Sequence, residues 1–172
     1  TETIYRYIPS SSAKKYHIWT SEEIHERLIE WANRSTYSKF VRLTTAQQAY
    51  GLPPSGTETD CPFDTGIDGC YIYILTLQDF TIHPDGSESS KRLPEVLLNG
   101  EVHGNERVGP TAVMEAAEVL LAAAACEAAP RDDDYSEYAF AATCRAALEE
   151  QGIDDSRRQW LARLVSTRRI LI

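Results

Sequence analysis

Apolar and polar positions alternate along this chain in two distinct rhythms. Ile24, Leu28, Trp31 and Ala32 recur at helical spacing behind Thr20 and Glu23, which form a capping box, so a helix is predicted from Ser21 to about Asn33. Phe40 to Thr44 reads as a short strand. Gln47 to Gly69, rich in Pro, Gly, Asp and Thr, reads as a loop. Tyr71 to Leu77 carries the strongest strand signal, and Pro84-Asp85-Gly86 marks a turn within Phe80 to Ser90. Pro94 to Leu98 is apolar on successive positions, which predicts a strand buried on both faces.

The second half is helical in rhythm. Ala112, Ala116, Val119, Leu120 and Ala123 line one side of a helix predicted from Pro110, at its first position, to about Ala125. Arg131 to Asp134 reads as a solvated loop, and Tyr135 to Gln151 as an Ala- and Glu-rich helix ended by Gly152. Asp154 or Asp155 caps a further helix containing Trp160, Leu161, Leu164 and Val165. Arg169 to Ile172 opens a strand. Alternation of strand and helix predicts an α/β layer structure with a mixed sheet. Residues 1–15 read as a polar arm.

Composition narrows the function classes. The 172 residues suffice for one domain with a sizeable core. A formal charge of −9 argues against nucleic acid as a partner. No apolar run is read as a membrane span, Leu120 to Ala125 being short. Four Cys residues form an even set, and local spacing pairs Cys61 with Cys70 and Cys126 with Cys144. Asn33-Arg34-Ser35 is an N-glycosylation sequon at a helix end. Sequon and paired Cys together indicate a secreted or vacuolar/lysosomal route.

The densest chemistry lies in Gly100-Glu101-Val102-His103-Gly104-Asn105-Glu106-Arg107-Val108-Gly109. A His and a Glu three residues apart, between the exit of a strand and the start of a helix, can point at one spot. Imidazole nitrogen and carboxylate oxygen both suit Zn2+, which takes three protein ligands at a catalytic site. His103 and Glu106 are therefore the expected metal ligands. His17, His25 and His83 precede this motif and are read as structural.

This stretch resembles the zinc carboxypeptidases, the metallocarboxypeptidases of the carboxypeptidase A, B, D and E type. Tyr16-His17, Glu22-Glu23-Ile24 and the helix and strand over Ser156 to Ile172 extend the resemblance. Asn105 matches the His-Gly-Asn-Glu subgroup. The resemblance implies a mixed β-sheet flanked by helices on both faces, of which this chain, over residues 16–172, holds the N-terminal half. Residues 131–153 read as an insertion. The third zinc ligand, the substrate-binding arginines, a Tyr and the general base are then expected outside this chain.

The function so implied is a zinc-dependent metallocarboxypeptidase. It would remove C-terminal residues from peptides or proteins, and only together with the downstream half of the domain. That half would be a second chain cut from the same precursor, near the dibasic Arg168-Arg169, or a continuation of this one. The Arg169–Ile172 strand would be interior and take its neighbours from there. The alternative is a catalytically silent, peptidase-like structural or binding subunit.

Overall fold

The structure, a computed structural model, describes residues 18–57, 61, 69–100, 108–128 and 135–172. The expected N-terminal arm and the Asp-rich loop lie outside these residues. The first element is α1, Ser21–Asn33, and the capping box expected at its start is present. The Thr20 hydroxyl accepts from the Glu23 amide while the Glu23 carboxylate accepts from the Thr20 amide. Two orphan amides are thereby satisfied. A 3-10 turn over Ser35–Tyr37 leads into β1, Val41–Thr45.

β1 runs antiparallel to β2, Tyr73–Leu77, in a register from Val41 opposite Leu77 to Thr45 opposite Tyr73. Between them lies α2, Ala46–Tyr50, where the sequence had suggested only loop. Thr45 and Gln48 build a second capping box, and Gly51 ends the helix at φ 66°, a conformation glycine adopts without penalty. After β2 comes a compact segment containing α3, Glu88–Lys91. It is held by the buried Gln78 side chain, which donates to the His83 carbonyl at 2.7 Å and to the Ser90 hydroxyl at 2.9 Å.

β3 is Glu95–Leu97, and β4 is Arg169–Leu171. Between them the chain forms α4 (Val108–Ala128), α5 (Tyr135–Glu150) and α6 (Asp155–Thr167). Asp154 is the residue that caps α6, accepting from the Arg157 amide at 2.8 Å. The sheet order is β1-β2-β4-β3, with β4 antiparallel to β2 and parallel to β3. β4 is interior as expected, but both its neighbours come from this chain. The two edges among the described strands are β1 and β3, and the residues of β3 are all exposed, against the expectation of a strand buried on both faces.

Side-chain parity along the strands shows where the core sits. Val41, Leu75, Leu77 and Ile170 share one face and pack with Leu28 and Trp31 of α1, Leu121 of α4 and Val165 of α6. The long helices thus contribute to a single core on one side of the sheet. Thr44, Ile74, Thr76 and Leu171 alternate onto the other side. There Phe80, with the Arg42 guanidinium 4.2 Å above its ring, belongs to the segment after β2. α1, α4 and α6 thus cover one side, and the segment carrying α3 lies on the other, so the mixed sheet is flanked by helices. Trp160 of α6 is 50% exposed, while Val165 is buried.

α4 has the length and composition to cross a membrane, contrary to the expectation that no run approaches that length. In the fold it is the central helix of the core. α5 packs on its outer side through Ala122, Ala123, Cys126, Cys144 and Leu148. The Cys126–Cys144 and Cys61–Cys70 disulfides form as the spacing suggested.

One carboxyl group is buried in this core. Glu118 on α4 is only 5% exposed, and its Oε1 has no hydrogen-bond partner among the described residues. Burial pushes its pKa up to about 7, against the opposing pull of Arg27 and Arg34, with Glu115 and Glu30 adding to the rise. Burial also lifts the neighbouring Tyr37 phenol to about 12, despite Arg34 beside it.

Two stability predictions follow from these features. Below the ordinary carboxylate range Glu118 is protonated in both the folded and unfolded states. As pH rises towards 7 the unfolded chain ionises first, so stability falls, by about 3 kcal/mol across the window. Denaturant midpoints at about pH 5 and about pH 8 should show this decline, and Glu118→Gln should flatten it. Replacing both Cys126 and Cys144 by Ser should cost about 3 kcal/mol, measured by the same unfolding curves.

Candidate binding cleft

β1, β3 and β4 all run in one direction, so their carboxyl ends lie together. Ligands in open α/β sheets bind outside such ends. Here a cleft of about 850 Å³ opens. Its walls include His25 of α1, Tyr71 and Tyr73 at the start of β2, Leu98 and Asn99 after β3, and Met114 of α4.

The aromatic wall has defined geometry. The His25 ring lies 5.1 Å from that of Tyr73, which stands edge-on to Tyr71 at 6.3 Å. Tyr71 and Tyr73 are two apart and so share a side of the strand, as the pleat requires. The sequence showed that spacing only as a strand signal, and His25 had been read as structural. The polar lining includes Arg169 and Glu95, paired at 3.3 Å across β3 and β4. Largely apolar walls with a few fixed polar groups are the chemistry of recognition.

Beyond the cleft lies the β3 edge of the sheet. Arg169 donates to the Pro94 carbonyl at 3.1 Å, and Leu98 donates to the Leu171 carbonyl at 2.8 Å. In a parallel ladder alternate residues face opposite edges, so Glu95 and Leu97 turn their N–H and C=O groups outward. No described strand lies on that side. The Leu97 side chain is 71% exposed.

One end of the cleft is held by a glycine contact, between Gly100, which lines it, and Gly109 behind. A Cβ on Gly100 would lie 2.5 Å from the Gly109 carbonyl carbon, and one on Gly109 would collide with the Gly100 carbonyl oxygen. The end of β3 and the first turn of α4 therefore meet backbone to backbone. Trp19 adds a tie at the same end, its amide donating to the Thr111 hydroxyl at 3.0 Å. The helix starts at Val108, placing Pro110 within the first turn, where a missing amide hydrogen is tolerated.

The glycine contact spans the ends of the segment that holds His103 and Glu106. Those two residues lie outside the described residues. A zinc site needs further converging ligands. Among the described residues no group of three or more His, Cys, Asp or Glu could hold a metal ion. The expectations of bound Zn2+ and of a zinc metallocarboxypeptidase are corrected on that finding. The described histidines have separate partners: the His25 ring lies tilted against that of Tyr73, and His83 hydrogen-bonds the Ser166 carbonyl at 3.2 Å. The carboxylates of Glu30 and Glu118 share their surroundings with Arg27 and Arg34.

In an ordinary helix Gly→Ala stabilises by about 1 kcal/mol. At Gly109 the added methyl has no room, so Gly109→Ala should instead destabilise by about 1–3 kcal/mol. Denaturant unfolding of the variant beside the wild type measures the sign. A gain in stability would show that the two backbones do not touch.

No family model, curated protein or solved structure matches this chain.

Proposed function

We propose that this chain is a peptidase-like binding subunit of the secretory or vacuolar route, whose ligand is an extended polypeptide segment. The segment adds as a strand to the outer edge of β3 and lays side chains into the adjoining cleft. The observation that carries this reading is the placement of the outward-facing β3 edge beside an aromatic-walled cleft of about 850 Å³. Strand addition draws affinity from main-chain hydrogen bonds and specificity from pockets for alternate side chains.

Two further features support the reading. Glu95 is neutralised by Arg169, so the edge carries no unpaired charge repelling a strand. The two disulfides point to an oxidising compartment, where polypeptide partners are met outside the cytosol. The likeness of the Gly100–Gly109 stretch to the zinc carboxypeptidases supplies the peptidase-like part. The strand-giving partner is, on this view, a downstream half of the same precursor or a separate polypeptide.

Linear peptides selected from a random library against the purified chain should slow hydrogen exchange at the Glu95 and Leu97 amides. Leu97→Pro removes one outward donor while leaving the bonds to β4 in place. Edge strands tolerate Pro at such a position. The variant should lose peptide affinity by at least about tenfold with little change in melting temperature. Peptides that bind equally well to Leu97→Pro, or that leave the β3 amides unprotected, would overturn the proposal.

A further inference from the structure

We infer that Asn33 is an N-glycosylation site, modified with an oligosaccharide as the chain enters the secretory route. The chain has three asparagines, Asn33, Asn99 and Asn105, and only Asn33 is followed by the x-Ser/Thr pattern. A short pattern alone carries little weight. The local structure supplies the rest.

Asn33 is the last residue of α1 and is exposed. The next residue leaves the helix: Arg34 is extended, at φ −73° and ψ 120°. Ser35, also exposed, begins the 3-10 turn. Asparagine and hydroxyl are thus brought to the surface on a bend rather than buried in a regular element. The intervening Arg34 side chain does not cover them. It pairs with Glu30 and lies over the Tyr37 ring at 5.0 Å. No hydrogen bond occupies the Asn33 carboxamide among the described residues. The disulfides independently indicate the oxidising compartment in which such transfer takes place.

The chemistry balances with a polyisoprenyl-diphosphate oligosaccharide as co-substrate of the host transferase. Asn33 Nδ2 attacks C1 of the reducing-end sugar. The Nδ2–C1 bond forms and the bond from C1 to the diphosphate oxygen breaks. The diphosphate leaves with the electron pair, and the displaced amide proton passes to a base of the transferase.

The site is compatible with the binding cleft. α1 reaches the cleft through residues Ser21 to Leu28. Asn33 lies five residues further on, about 8 Å along the helix axis. Ile29, partly exposed and one turn back on the same side, comes under the first sugar. The glycan then shields an apolar side chain without closing the cleft.

The test is expression of the full chain behind a secretion leader in a eukaryotic host, with material taken from both cells and medium. The wild type should carry a single glycan, removed by a peptide N-glycosidase with conversion of Asn33 to Asp in the recovered peptide. Asn33→Gln and Ser35→Ala should each abolish the mass increment, and Ser35→Thr should keep it. Because transfer precedes export, glycan on cell-retained protein counts equally. Unmodified Asn33 in wild-type protein from the secretory compartments, or an increment surviving in Asn33→Gln, would overturn the inference.

Discussion

The packing of α4 against the sheet and α6 is the contact on which the rest of this structure depends. Its Ala-rich side lets the helix approach closely, and Leu121 and Met114 fill the remaining space beside Leu75, Val165 and Ile170. Small residues shorten the distance between elements, while larger ones supply buried apolar area. The same helix carries Cys126, which binds α5, and Gly109, which sets its start against the end of β3. Displacing α4 would therefore disturb the core, the α5 layer and the cleft together.

That packing has a cost at Glu118. A carboxyl buried beside Tyr37 and near Arg27 and Arg34 loses solvation and retains its proton to higher pH. Arg27 and Arg34 offset part of this, yet both also serve aromatic rings, at Trp19 and Tyr37. Shared cations of this kind tie the end of α1 to the 3-10 turn. The outer surface of that corner is where Asn33 leaves the helix, so a firmly held underside and an accessible acceptor occur within a few residues.

The cleft arises from strand direction more than from any one motif. Three strands ending together leave backbone and side chains that no following element fills within the described residues. Aromatic rings stand on one wall, and the β3 edge runs away from the other. This juxtaposition of pocket and edge is what the proposed recognition of an extended chain draws on.

The sequence by itself determined the local elements. Capping groups at Thr20 and Asp154, the alternation over Tyr71–Leu77 and the helical periodicity after Pro110 all depend on neighbours within a few residues, and they appear in the fold close to where the pattern put them. Both disulfides were legible because the paired cysteines are near in sequence. Short α2 and α3 were missed because Pro, Gly and Ser around them outweighed their own weak signals. Only the tertiary structure decided the rest. An apolar run such as Pro94–Leu98 does not reveal whether strands will lie on both sides of it, and here β4 lies on one. Glu118 reads as a surface carboxylate until the turn at Ser35–Tyr37 closes over it. Gly100 and Gly109 read as loop glycines until β3 and α4 meet. Each outcome is set by which distant segment occupies the adjacent space, and local chain propensity carries no record of that choice.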